Sequence, residues 1–297
     1  MKTAAVTMPA TQSRIADFVA LTKPRLNSLV VVTVGLGYYL GAGGHQIEPS
    51  MLFHTVVGAA LVAGGAAAFN QVAERDFDEL MDRTRQRPLP VGRLMPTEAR
   101  LFAFVLSAVG IFQLAYVTNW IAAFVALTTL VSYVAIYTPL KRRTSWATLV
   151  GAVPGALPPL IGWAAAAGSV TVEAWVLFGI VFLWQLPHFY ALAWLYRNDF
   201  KRAGLPLLAV IDPSGRRTST HALLYTIALL PMSLVAALVG LGGIVYVACA
   251  SLLGIGFIVV AARFVAQHST NRARVLFRTS LIYLPLLWGL LVAERAF

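Results

Sequence analysis

Long stretches without a single charged side chain restrict this chain to one environment. Leu101–Leu140 and Thr218–Ala262 contain no Asp, Glu, Lys or Arg, and neither do the shorter runs Leu26–Gly44 and Met51–Ala73. A helix crosses a hydrocarbon core of ~30 Å in about 20 residues, so each of the two longest runs holds two spans. Thr118-Asn119 breaks the first of them, and Gly240, Gly242 and Gly243 break the second, all residue types that punctuate helices. Trp146–Ala167, Ala174–Tyr196 and Val275–Ala293, the last with Arg278 near one end, supply further spans. The expectation is an all-α polytopic membrane bundle of about nine transmembrane helices. A segment 1–25 precedes it on the cytoplasmic side, and 26–297 forms a single transmembrane domain. A soluble domain carries about 25% charged residues; here the figure is 12%, against 59% hydrophobic.

The basic residues orient the bundle. With the N-terminal segment and the loops 73–100, 139–145, 197–217 and 263–274 on one side, every Lys and Arg except Arg295 falls on that side. The positive-inside rule makes it cytoplasmic, so the N-terminus faces in and the C-terminus out, across a bacterial inner membrane. This bias also accounts for the net charge of +11 without nucleic acid as a partner. A lone Cys249 excludes an internal disulfide and a cysteine metal cluster. Residues 1–25 lack the apolar core of a cleavable signal peptide.

Three constellations at the cytoplasmic ends of the second, fourth and sixth spans depart from generic membrane sequence. In the first, Asn70, Glu74, Asp78 and Asp82 recur every fourth residue. On a helix each such step turns about 40° and rises about 6 Å, which lines the four up as a ladder. Carboxylates so stacked repel unless a cation lies between them, and hard oxygens beside a phosphate suit Mg²⁺. The plainer reading is a solvated helix whose acids pair with Arg75, Arg83, Arg85 and Arg87. In the second, Tyr137 and Lys141 could grip one phosphate oxygen, with Arg142 and Arg143 following; an aromatic belt with a positive-inside cluster would look the same. In the third, Trp184, Gln185, Pro187 and His188 put polar groups inside a span, marking either a cavity or a helix–helix hydrogen bond; Asp199, Lys201 and Arg202 follow. Together they describe a metal-bridged diphosphate site, with a dry apolar chamber for the substrate's chain.

These strings resemble the UbiA superfamily of intramembrane prenyltransferases over nearly the whole chain, from Leu21-Thr-Lys-Pro-Arg25 onward. Asn70, Glu74 and Asp78 match its first Asp-rich motif, and Tyr137 and Lys141 its Tyr-x-x-x-Lys motif. Asp78-Glu-Leu-Met-Asp82-Arg83-Thr84-Arg85-Gln-Arg87-Pro88, Gly155-Ala-Leu-Pro158-Pro159 and Trp184-Gln185-Leu-Pro187-His188-Phe189 are similar to its heme-farnesylating branch. The second Asp-rich motif of most members is reduced to Asp199, with Leu192 and Leu195 at the places of its earlier acids.

The resemblance implies a reaction, transfer of farnesyl from farnesyl diphosphate to a vinyl group of heme b with addition of water, giving heme O. It implies Mg²⁺ held by Asn70, Glu74, Asp78 and Asp199, with Asp82, Tyr137 and Lys141 also in the catalytic set. Arg83, Arg87, Lys141, Arg142 and Lys201 would bind diphosphate, and Trp184, Gln185 and His188 would contact heme, with His54 and His221 as rival ligands. The bilayer is the solvent, and a heme A synthase or terminal oxidase would receive the product. A relative acting on a quinone, chlorophyll or other aromatic precursor is the nearest alternative. A secondary transporter or a non-catalytic heme carrier are more distant ones.

Overall fold

The computed structural model describes residues 13–43 and 47–296. Among them every regular element is helical: α1 (Arg14–Leu21), α2 (Pro24–Gly41), α3 (Pro49–Asp78), α4 (Pro96–Gln113), α5 (Trp120–Val131), α6 (Thr138–Leu140), α7 (Ala147–Ala156), α8 (Pro158–Ala167), α9 (Val172–Leu195), α10 (Arg197–Arg202), α11 (Leu208–Ile211), α12 (Arg216–Leu238), α13 (Ile244–Ala266) and α14 (Thr270–Ala296). Short π-helical turns, Leu114–Thr118 and Ser132–Tyr137, extend α4 and join α5 to α6. Eight helical stretches are long and apolar enough to span a bilayer, and the bent pair α1–α2 makes a ninth if taken as one span.

The breaks fall where the sequence puts them. Asn119 ends one span and starts the next: its Oδ1 accepts from Ala122 N–H at 2.9 Å and caps α5, while its amide donates to the Ala164 carbonyl at 2.8 Å. Such a cap satisfies a backbone donor that would otherwise be orphaned at a helix start. The second break lies between Leu238 and Ile244, across the expected glycines. Pro24, Pro49, Pro96 and Pro158 open four helices, where the missing N–H costs nothing.

The first span, expected over Leu26–Gly44, is the single helix α2, with the expected end at Gly44 outside the described residues; what the sequence did not indicate is α1 ahead of it, which meets α2 at 48°. Pro24 disfavours a helical residue before it, and Lys23 turns the chain in the left-handed region at φ 47°, alone among described non-glycine residues in having positive φ. Residues 13–25 are therefore part of the bundle rather than a segment ahead of it. Leu21 is buried with Ala68, Leu94 and Ala103, and Arg93 Nε donates to both oxygens of buried Asp17 at 2.9 and 3.1 Å. Residues 1–12, Lys2 included, lie outside the described residues.

Small residues set the spacing of the helices. A Cβ on Gly37 would lie 2.0 Å from the Pro159 carbonyl oxygen, and one on Gly162 1.9 Å from that of Val34, so α2 and α8 meet backbone to backbone. Gly65 likewise seats the Ser107 hydroxyl, Gly151 the Tyr137 ring and Gly155 the Gln185 amide. Packing of this kind is the main attraction between helices that share an apolar solvent. The result sets α3 against α2 and α4, and α9 against α7, α12 and α14.

Candidate functional site

Each rung of the ladder at the end of α3 faces its own cation, and each cation comes from a different part of the chain. Lys23 Nζ, at the α1–α2 bend, donates to Asn70 Oδ1 at 2.9 Å. Lys141 Nζ, just beyond α6, lies 3.1 Å from Glu74 Oε1. Arg87 Nη1, in the loop after α3, lies 2.6 Å from Asp78 Oδ2. Asn70, Glu74 and Asp78 are 2%, 8% and 1% exposed, whereas Asp76 and Glu79 between and beyond them face outward. The three are thus buried rather than solvated, while the arginine pairing of the plainer reading holds for Asp78 with Arg87, Asp76 with Arg75 and Asp82 with Arg85. Thr138, next to Tyr137, joins the buried three: its hydroxyl accepts from the Asn70 amide at 3.3 Å and donates to the Tyr133 carbonyl at 2.8 Å. The π-helical turn at Ser132–Tyr137 leads directly into this residue, and such turns concentrate at functional positions.

Asp82 does not extend the ladder. The helix stops at Asp78, because Thr84 Oγ1 donates to the Asp78 carbonyl at 2.8 Å and Arg87 folds back onto the Asp78 side chain. Asp82 is exposed instead, paired with Arg85 at 3.6 Å and with Arg202. Arg202 also holds Asp199, so one guanidinium clasps the loop after α3 to α10. Arg83 reinforces the clasp, its guanidinium 5.2 Å from the ring centres of both Tyr196 and Phe200. Lys201, expected to bind diphosphate, is exposed and makes no ion pair among the described residues; the ion pairs to Asp82 and Asp199 are made by Arg202. Arg142 lies over the Phe77 ring at 4.4 Å and donates to the Ala73 carbonyl, on the outer side of the ladder.

No three His, Cys, Asp or Glu side chains among the described residues converge as a ready-made metal cage. Mg²⁺ does not need one: it keeps several waters and takes one or two carboxylates plus substrate phosphates. Asp78 Oδ1 is buried without a hydrogen-bond partner, an orphaned anionic oxygen one turn from Glu74. A buried acceptor left bare costs about 1–3 kcal/mol. The donor set fits a hard divalent ion.

The third constellation forms a separate cluster deeper in the membrane. Gln185 donates to the Ala152 carbonyl at 2.9 Å and Trp184 Nε1 to the Ser280 carbonyl at 2.7 Å, so both polar groups tie helices together. His188 Nδ1 meets Ser280 Oγ at 2.8 Å, and its ring lies between Trp184 and Phe277, with centroids at 5.4 and 4.6 Å. His188 is seven residues before the end of α9, roughly 10 Å along the helix. His54 contacts Gln113 near the opposite end of α3 from the ladder, and His221 bonds the Arg217 carbonyl within its own helix. A groove of about 560 Å³ lies apart from both clusters, lined by residues such as Phe18, Val57 and Leu106 of α1, α3 and α4.

Sequence reasoning missed two participants. Lys23 enters that reasoning only as a positive-inside charge and as part of the Leu21–Arg25 string, with no site role, although the Lys-Pro step signals a bend. Ser280 carried no signal, being a lone serine in an apolar span.

Fold and site together define a polytopic membrane protein with a buried, charge-paired cluster at one end of its bundle. Residues 29–291 match the UbiA prenyltransferase family. A protoheme IX farnesyltransferase of Solibacter usitatus is 46% identical, covering 94% of this chain and 98% of its own length. One from Opitutus terrae is 42% identical over 98% of each chain. Among solved structures, a digeranylgeranylglyceryl phosphate synthase superimposes with a TM-score of 0.80 at 15% identity, covering 95% of this chain and 98% of that one. A UbiA homologue from Archaeoglobus fulgidus bound to DMAPP and Mg²⁺ gives 0.64 at 17% identity, covering 94% and 99%. The chain belongs to the UbiA prenyltransferase family and is an intramembrane prenyltransferase.

Proposed function

We propose that the chain transfers the farnesyl group of farnesyl diphosphate to a vinyl carbon of protoheme IX, with addition of water, to give heme O. The observation that carries this reading is the three-rung pairing of Lys23, Lys141 and Arg87 with Asn70, Glu74 and Asp78. The acceptor is inferred from relatives above 40% identity over nearly the full chain that are named protoheme IX farnesyltransferase.

Ionisation of an allylic diphosphate needs stabilisation of the leaving group more than it needs a base. Asn70, Glu74 and Asp78 would hold Mg²⁺, with Asp199 at the rim, and the bound ion would supply positive charge to offset the departing diphosphate. Lys23, Lys141 and Arg87, beside those side chains, would face the phosphate oxygens, and Arg83 and Arg142 would add positive charge at the mouth. The farnesyl chain lies among the apolar helices, which keep water from the allylic cation until the vinyl carbon attacks it. His188 contacts the heme substrate, with the Trp184 ring stacked against the imidazole.

On the Lys and Arg distribution the ladder faces the cytoplasm of a bacterial inner membrane, with the C-terminus on the other side. A heme A synthase or a terminal oxidase receives the product.

The test is incubation of the purified protein with heme b, farnesyl diphosphate and Mg²⁺, followed by mass spectrometry. A hydroxyethylfarnesyl adduct that disappears on chelation is expected. Transfer to a quinone or other aromatic acceptor with heme left unchanged would replace this reading with that of a sister prenyltransferase.

A further inference from the structure

Ser280 makes two side-chain contacts that together fix a proton. Its Oγ lies 2.6 Å from the Phe277 carbonyl and 2.8 Å from His188 Nδ1. A carbonyl oxygen can only accept, so the one hydroxyl proton goes to Phe277. Were it turned toward His188 instead, two oxygens would face each other at 2.6 Å with no hydrogen between them. The Ser280 oxygen therefore accepts, and His188 donates from Nδ1. In a neutral imidazole the proton on one nitrogen leaves a lone pair on the other. Nε2 has no hydrogen-bond partner among the described residues, and it is not one of the buried polar atoms left bare. The ring is clamped between Trp184 and Phe277, and Trp184 is held by the Ser280 carbonyl. One fully buried residue of α14 thus sets both the tautomer and the pose of a histidine on α9.

We propose that Ser280 is a positioning residue for the acceptor, holding His188 as the Nδ1–H tautomer so that Nε2 ligates the iron of the heme substrate. This rests on the reading of His188 as a heme contact. Histidines that bind metal through one nitrogen characteristically donate the other N–H to an acceptor that fixes the ring and raises its basicity. His221 also donates through Nδ1, but to the Arg217 carbonyl of its own helix, and its neighbouring rings, Tyr190 and Tyr225, lie farther off at 5.8 and 6.5 Å.

The experiment uses the full chain in detergent, loaded with ferrous protoheme, with resonance Raman detection of the iron–nitrogen stretch. The wild-type protein should show the stretch, H188A should lose it, and H221A should keep it. S280A leaves the backbone carbonyl that holds Trp184, so it should fold and bind heme. Its stretch should move to lower frequency, its heme Kd should rise about tenfold, and S280T should restore both. A stretch unmoved in S280A, or surviving in H188A, overturns the proposal. If H188A weakens heme binding but the wild type shows no iron–nitrogen stretch, the contact stands and the ligation falls. If H188A binds heme as well as wild type, the contact reading itself fails.

Discussion

Arg87 pairs with one carboxylate oxygen of Asp78 and leaves the other bare, in a side chain that is 1% exposed. A carboxylate buried in this way is prepared for one further positive partner. Asp78→Asn keeps the shape and the hydrogen bonding but removes the charge. Farnesyl transfer should fall by about a hundredfold or more, with an unchanged elution profile in detergent. Asp76→Asn, two residues away and exposed, should retain activity. Near-normal turnover by Asp78→Asn would remove the metal assignment.

Lys23 combines an unusual backbone with a cation in the site, and the two can be separated. Glycine tolerates the left-handed conformation freely, so Lys23→Gly keeps the α1–α2 bend while removing the side chain and its ammonium. A charge-assisted hydrogen bond contributes about 1.5–3 kcal/mol. The KM for farnesyl diphosphate should therefore rise at least about tenfold, with thermal stability close to wild type.

The crossing of α2 and α8 leaves no room for a methyl group at Gly162. Gly162→Ala must push the two backbones apart, at about 1–3 kcal/mol, and should lower the melting temperature measured by tryptophan fluorescence in detergent. Gly256, with open space around its Cα, should accept alanine without loss.

Asp212 gives the bundle a defined response to acid. Burial pushes its carboxyl pKa up, but hydrogen bonds from Thr218 and Ser214 outweigh that and hold it below the ordinary Asp value. A pKa lowered on folding adds stability that is complete above the unfolded-state value and is lost as pH falls through the folded one. Asp212→Ala should cost about 1–2 kcal/mol at neutral pH by removing a cap from the first turn of α12. The melting-temperature gap to wild type should close in acid.

The bundle was legible in the sequence because a span is defined by what it lacks. Uncharged runs gave the helices, and Thr118-Asn119 and the Gly240–Gly243 stretch gave the breaks, since both signals are local. The inward rungs Asn70, Glu74 and Asp78 were legible for the same reason, helix period being a local property. Asp82 was misplaced because the period was continued past a helix end that is set by Thr84 and Arg87, both beyond it in sequence. Lys23 and Ser280 were invisible as site residues because their roles depend on partners in distant helices, Asn70 and His188. The Tyr137–Lys141 pair was legible from its four-residue spacing at the end of the fourth span; what the spacing could not give is that Lys141 reaches Glu74 and that the Tyr137 ring packs on Gly151.

The pairing of one cation with each rung has an electrical consequence. Three positive side chains meet only two carboxylates, so the pocket carries a surplus of one positive charge in a medium that screens poorly. That surplus, to which Arg83 and Arg142 at the mouth add, gives an incoming diphosphate a net attraction before any metal is counted.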